Sequence, residues 1–326
     1  MSLTKLGIDR YITTLRTNSK EFNNISDVQL SSMLENVISN INEVAYFWST
    51  VCSDNKGTTK TPAEGEEWLG GPFAAVLATQ YYIETLQSND DLSLNSFNKE
   101  ENSYKVFPNK FIEKITFPFI DAKVYFNKSM SFEDINKFRG FSRRFDIDPS
   151  ITLVLGAGNF SSIPYLDVLY HLITRRSVIL LKLNPVNEYL KPVFEKVFQN
   201  FIERGYVIIT TGNIEESKYM ATHAGVNHIH LTGSDKTFEE IVYGRELNDK
   251  EKKLKNISKV NTKPITSELG NVTPFIIHPG KWSTSDIKYQ ARKIVTGKLN
   301  NNGFNCIAAQ VIVLPDGWGQ TETLIK

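Results

Sequence analysis

Cysteine is nearly absent: Cys52 and Cys306 are the only two in 326 residues. A chain this long with two cysteines is not stapled for an oxidising compartment, and the pair has no metal-type spacing, so a reducing cytoplasm is the expected setting. Excess charge of either sign is also missing, since 37 Lys and Arg stand against 36 Asp and Glu for a net +1 at pH 7. No field of that size draws nucleic acid or an anionic membrane, and neither is expected as a partner. No apolar run approaches a bilayer span, and the start Met1-Ser-Leu-Thr-Lys-Leu6 lacks the basic segment, apolar core and small-residue site of a leader. The five histidines, His171, His223, His228, His230 and His278, have no metal spacing. No metal is expected, and His228 and His230, alternating on one strand, read as packing or surface residues.

What is present is the composition of a folded protein, 40% hydrophobic and 22% charged, long enough for two domains or for one large domain with an incomplete partner. Apolar residues from Ile25 to Val51 fall at helical spacing behind the start signals Ser26 and Asp27. A polar loop, Ser53 to Gly71, leads to a second helix over Pro72 to Leu86; Glu66, Glu67 and Trp68 in that loop read as surface and packing residues. Between Asn102 and Asp148 short runs such as Lys105-Val-Phe-Pro, Ile115-Thr-Phe-Pro-Phe-Ile and Ala122-Lys-Val-Tyr-Phe suit extended strands or a projecting hairpin that could serve assembly.

From Ile151 the pattern alternates. Strands are predicted at Ile151–Leu155, Ser177–Leu183, Val207–Thr210 and His228–Thr232, with helices at about Pro164–Thr174, Glu188–Arg204, Glu215–Thr222 and Asp235–Tyr243. Parallel neighbours need crossover connections, so the fold class is α/β, with a doubly wound, mostly parallel sheet. The charged stretch Arg245 to Lys259 is an exposed loop or insertion. A strand at Val272–Ile277, a helix from Ser285 to about Leu299, a final strand to Leu314 and the start of another helix complete the chain.

Several stretches have chemical potential. Gly156-Ala-Gly158-Asn159 follows the first strand and precedes a helix, where backbone amides can meet an anion or dinucleotide. The third glycine of the usual fingerprint is missing, and Lys182 stands where an acid would hold a ribose, so a simple Rossmann dehydrogenase fits poorly. Lys182 is either a surface lysine or a ligand at the carboxyl edge of the sheet. Gly233-Ser234 is either a phosphate turn or a helix cap. Glu268 before Gly270 reads alone as a loop residue. Cys306, opening the apolar run Ile307 to Leu314, is either an inert core thiol or a nucleophile.

Taken together and in order, Asn159, Lys182, Gly233-Ser234, Glu268-Leu269-Gly270 and Gly303-Phe304-Asn305-Cys306 resemble the NAD(P)-dependent aldehyde dehydrogenase superfamily. The resemblance runs from roughly Asn102 to Leu314 and is firm from Ile151. Phe304 stands where the cysteine signature usually has glutamine, Asn271 replaces a second glycine after Glu268, and the Glu268 to Cys306 spacing is slightly long. These departures and the wording Gly-Ala-Gly-Asn-Phe-Ser-Ser-Ile-Pro look like a divergent branch.

The resemblance implies an aldehyde dehydrogenase-like coenzyme domain. On that basis residues 1–101 are its N-terminal helical part, 102–149 a possible oligomerisation element, 150–267 the dinucleotide-binding part and 268–326 the start of a second, catalytic α/β domain. It also implies a small-molecule aldehyde as substrate, NAD or NADP as cofactor, and a homo-oligomer at full length. Cys306 would be the nucleophile, Asn159 an oxyanion donor and Glu268 the base that activates water. Lys182, Gly158, Gly233, Ser234 and Leu269 would face the cofactor. The first acid after Lys182 is Glu188, so a ribose 2′-phosphate meets no nearby repulsion in the sequence. Two alternatives stand beside this reading: a relative that passes the acyl group to CoA, and a nucleotide-binding fragment without turnover, because later family elements would lie beyond Lys326.

Overall fold

The computed structural model describes residues 4–87, 97–138, 148–254 and 256–326. Residues 1–3 of the start, 139–147 of the expected hairpin segment and Lys255 of the charged loop lie outside them.

Two long helices open the chain, α1 (Lys5–Asn23) and α2 (Asp27–Lys56). The start of α2 is fixed by a reciprocal cap between Ser26 and Gln29, and its end by Gly57 at φ 68°. It therefore runs past the expected stop at Val51. The loop expected over Ser53 to Gly71 is largely helical: α3 (Glu64–Trp68) passes through a π turn at Leu69–Phe73 into α4 (Ala74–Gln87). Its polar sequence hid this, because the residue it buries is the carboxylate Glu67, not an apolar stripe.

β1 (Phe97–Asn98), β2 (Ser103–Phe107) and β3 (Ala122–Tyr125) form a small antiparallel sheet, followed by α6 (Phe132–Phe138). Between β2 and β3 the stretch expected to be extended at Ile115 instead closes the helix α5 (Phe111–Thr116). Glu113 caps that helix by accepting the backbone N–H groups of Asn109 and Lys110. Phe111, Ile112 and Ile115 stay exposed, so their apolar character did not mark a buried strand.

The main sheet joins β4 (Ile151–Leu155), β5 (Val178–Lys182), β6 (Val207–Thr210), β7 (His228–Gly233) and β8 (Ile265–Leu269), all parallel, in the order β6-β5-β4-β7-β8. The crossovers are α7 (Ser162–Ile173), α8 (Lys191–Val197) with α9 (Gln199–Glu203), α10 (Ile214–Thr222) and α11 (Asp235–Tyr243). α1, α10 and α11 cover one face; α7, α8 and α9 cover the other, with α2 and α4 packed outside them. β4 and β5 are buried at every position, as a sheet covered on both faces requires. The helix expected over Glu188–Arg204 is broken into a 3₁₀ turn (Pro185–Leu190), α8 and α9, with prolines at the starts of the first two pieces. Trp48 of α2 meets Phe194 edge-on at 5.4 Å, which ties an outer helix to a crossover, and Tyr165 stacks on Phe198 at 5.1 Å, which ties two crossovers together. Each fully buried aromatic of this kind contributes about 1.5–3 kcal/mol.

β8 was not anticipated as a strand. It is an edge strand, at best half-buried, whose sequence Ile-Thr-Ser-Glu-Leu has no clear alternation. After it come β9 (Thr273–Ile276), α12 (Thr284–Leu299), β10 (Ala309–Val313) and α13 (Thr321–Ile325); β9 and β10 pair in parallel around a second small core of Ile277, Ile287, Ile294 and Leu324. Among the described residues no helix is long and apolar enough to cross a membrane.

Candidate active site

The connections after β4 and β7 leave toward opposite faces of the sheet, because α7 and α11 lie on opposite sides. The crevice between them is the switch point at which open α/β sheets receive ligands. Gly158 sits in the first connection, and a Cβ there would approach Val186 Cγ2 to 2.8 Å and Asn184 Cγ to 2.9 Å. Only glycine lets the backbone pass so close. In the second connection Ser234 caps α11 by accepting the Thr237 N–H at 3.1 Å, so its hydroxyl is at least partly committed to the helix.

A cavity of about 700 Å³ opens at this crevice, lined by Gly158, Asn159, Gly233, Ser234, Glu268, Leu269 and Cys306, together with Lys56, Tyr189 and Phe304. Seven of the eight residues singled out from sequence thus share one cavity. The eighth, Lys182, ends β5 in a neighbouring hollow of about 290 Å³ that shares Thr232, Gly233 and Ser234 with the first. Lys182 is buried and not the surface lysine that the sequence allowed. Burial pushes its ammonium pKa down, and Glu188 and Glu216 oppose that shift.

Cys306 is exposed, on a loop built by three successive residues in the left-handed region, Asn301 (φ 52°), Asn302 (φ 53°) and Gly303 (φ 80°). Asparagine and glycine are the residues that take this conformation most readily. The strand expected from Ile307 begins at Ala309, leaving Cys306 in the turn. There Asn305 Oδ1 accepts the Ile307 N–H at 3.0 Å, and the Cys306 thiol lies 3.8 Å from the same oxygen. Asn159 joins this loop to the first connection. Its Nδ2 donates to the Phe304 carbonyl at 3.0 Å, and its own carbonyl accepts from Asn301 Nδ2 at 3.0 Å. Glu268, next to last in β8, is exposed and lines the cavity.

Sequence reasoning missed the support of this loop. Lys56 Nζ donates to both carboxylate oxygens of Glu67, at 2.8 and 2.9 Å, and to Asn301 Oδ1 at 2.7 Å, which uses all three of its protons. Glu66 accepts the Asn301 backbone N–H. Glu66 and Glu67, read as surface and packing residues, therefore hold the cysteine loop. The only local signal was a run of acids beside a helix-ending lysine. The other cysteine, Cys52, is buried nearby, and burial raises its thiol pKa to about 11. Among the described residues no group of three or more His, Cys, Asp or Glu could hold a metal ion.

Sheet order, crevice and glycine connection define a doubly wound α/β protein with a nucleotide-type cleft. The sequence model of the aldehyde dehydrogenase family matches residues 171–321. The 4,4'-diaponeurosporen-aldehyde dehydrogenase of Staphylococcus aureus (strain NCTC 8325 / PS 47) is 25% identical over 122 residues, covering 37% of this chain and 23% of that protein. Among solved structures, aldehyde dehydrogenase 21 from Physcomitrella patens, in complex with the reaction product succinate, superposes with a TM-score of 0.63 at 13% identity, over 99% of this chain and 55% of that one. The NADP-dependent glyceraldehyde-3-phosphate dehydrogenase from Bacillus halodurans C-125, complexed with NADP, does so with a TM-score of 0.59 at 13% identity, over 99% and 56%. The chain is thus similar to aldehyde dehydrogenases in sequence from residue 171 to 321 and shares their fold, and it spans about half the length of the solved structures it matches.

Proposed function

We propose that this chain carries the coenzyme cleft and the nucleophile of an NAD(P)-dependent aldehyde dehydrogenase that converts a small aldehyde to a carboxylic acid. One observation carries the reading: Cys306, Glu268 and Asn159, from three distant segments, line one cavity beside the glycine connections. The cavity wall at Gly158 and Gly233 suits a dinucleotide laid against backbone, and Lys182 with Gly233 and Ser234 would hold it. NAD or NADP, when bound, supplies the hydride acceptor.

Cys306 as thiolate attacks the aldehyde carbon; the C–S bond forms and the carbonyl electrons move to oxygen. One amide hydrogen of Asn159 is spent on the Phe304 carbonyl, and the second, with the Cys306 N–H, receives that oxyanion. After hydride loss, Glu268 takes a proton from water, which attacks the thioester and frees the acid and the Cys306 thiol. The stretch Leu183 to Asn187 carries no acid to repel a 2′-phosphate, so both dinucleotides are included.

Residues 150–267 are the coenzyme part and 268–326 the start of the catalytic part, in a cytoplasmic homo-oligomer. The exposed Phe111, Ile112 and Phe119 around β2 and β3 support assembly through that segment. The test is an aldehyde panel with NAD⁺ and with NADP⁺. The account expects reduced nucleotide without CoA and none in Cys306→Ala; undiminished turnover in that variant overturns it. Turnover only with CoA, releasing an acyl-CoA, moves the assignment to the acylating relatives. A nucleotide-dependent thermal shift with no turnover marks a binding chain.

A further inference from the structure

Three of the five histidines are buried together between α7 and β7: the His171 ring lies 5.4 Å from that of His228 and 5.0 Å from that of His230. Burying imidazoles is costly unless their nitrogens are satisfied. His171 has no hydrogen-bond partner on either nitrogen among the described residues, so it packs as a neutral ring. The other two are joined into a continuous chain. His230 Nδ1 lies 2.8 Å from Thr266 Oγ1, the same hydroxyl lies 3.2 Å from His228 Nε2, and His230 Nε2 lies 3.3 Å from Thr232 Oγ1. Asp167 of α7 lies 3.2 Å from His230 Nε2 and accepts the Thr232 hydroxyl at 3.0 Å.

The register of the sheet connects this chain to the cavity. Thr232 pairs with Glu268 and His230 with Thr266, row above row, on the adjacent strands β7 and β8. Paired residues on neighbouring strands, about 4.8 Å apart, project to the same face. Glu268 therefore stands beside Thr232 at the head of the stripe, and both line the cavity. The charged and titratable groups facing the stripe are Asp167 and His171 from α7, Arg175 just after it, His228 and His230 from β7, and Glu268 from β8.

We propose that Thr232, His230, Thr266 and His228 form a proton relay that discharges Glu268 after it has deprotonated water; this rests on the reading of Glu268 as the base. In the tautomer with hydrogen on His230 Nδ1, the Thr232 hydroxyl turns from Asp167 to His230 Nε2, and the Glu268 proton passes to Thr232 Oγ1 as the Thr232 proton passes to His230 Nε2. The Nδ1 proton then moves to Thr266 Oγ1, and the Thr266 proton to His228 Nε2. Each group gains one proton and gives one away, and His228, last in the chain and farthest from the cavity, receives on Nε2 and passes its other ring proton on toward solvent. Asp167, 3.2 Å from His230 Nε2, accepts the hydrogen that arrives there and steadies the transient positive charge. His230 is thus a positioning and transfer residue acting through Thr232.

The test uses the 326-residue chain with p-nitrophenyl acetate, which acylates a thiol without any dinucleotide. Mass spectrometry follows acetyl-Cys306 forming and hydrolysing from pH 5.5 to 9. His230→Gln, which keeps a hydrogen-bonding side chain but cannot relay, is expected to acylate at the wild-type rate. It should hydrolyse roughly tenfold more slowly, with a shifted pH profile and partial rescue by added imidazole. Unchanged hydrolysis and pH profile, or equal slowing of both steps without imidazole rescue, overturns the relay and leaves the nucleophile assignment standing. Absence of acetyl-Cys306 in the wild-type chain overturns that assignment and the relay with it. Should His230→Gln not fold, Thr232→Val is read by the same criteria, imidazole rescue excepted.

Discussion

Lys56 Nζ and Asn301 Oδ1 meet at 2.7 Å across 245 residues of chain, joining the last turn of α2 to the left-handed turn that presents Cys306. The same ammonium satisfies the buried carboxylate of Glu67, and Asn301 reaches on to the Asn159 carbonyl. The loop bearing the proposed nucleophile is thus fixed from behind by a buried charge pair.

Lys56→Met leaves Glu67 buried without its partner, and removing one side of such a pair costs about 3–5 kcal/mol. Urea unfolding should show that loss, and Lys56→Met combined with Glu67→Leu should recover much of it. Equal stability of Lys56→Met and the wild type would mean that the pair contributes nothing.

The two thiols should differ sharply toward iodoacetamide. Cys306 is exposed, whereas Cys52 is buried with its pKa raised to about 11, which leaves almost no thiolate at neutral pH. At pH 7.5 peptide mapping should find one rapid modification, at Cys306, and a second at Cys52 only after unfolding. Rapid labelling of Cys52 in the folded chain would contradict its placement in the core.

Acid should weaken the fold through the histidine stripe. Burial first, with help from neighbouring positive groups, lowers His171 to about 2 and His228 to about 4 from the ordinary 6.5. Below pH 6.5 the unfolded chain binds protons that the folded chain refuses, so stability falls as pH drops toward 4. The slope is about 1.4 kcal/mol per pH unit for each histidine. Unfolding free energies at pH 7.5, 6 and 5 measure it, and His171→Phe should flatten the dependence; an unaltered slope would show that His171 is not held neutral.

Much of the fold was legible in sequence where burial on both faces wrote continuous apolar runs, as in Ile151–Leu155 and Val178–Lys182. It was illegible where exposure decoupled composition from structure: α5 carries exposed Phe111 and Ile112, and β8 lies at the sheet edge with a polar sequence. Of the candidate site, Cys306, Glu268 and Asn159 could be picked out by their signatures. Their supports could not, because no local spacing links Lys56 to Asn301 or Asp167 to His230. His228 and His230, which read as packing or surface residues, are buried, and their partner Thr266 comes from the strand that had not been anticipated.

The central claim, that Cys306 carries the acyl group and Glu268 releases it, is tested most directly by trapping the thioester. Glu268→Gln is mixed with aldehyde and NAD(P)⁺, quenched in acid and mapped by mass spectrometry. The account predicts the acyl mass on the peptide containing Cys306, labile to hydroxylamine, with one reduced dinucleotide formed per adduct. Reduced dinucleotide accumulating with no adduct on Cys306, or an adduct on another residue, would contradict it.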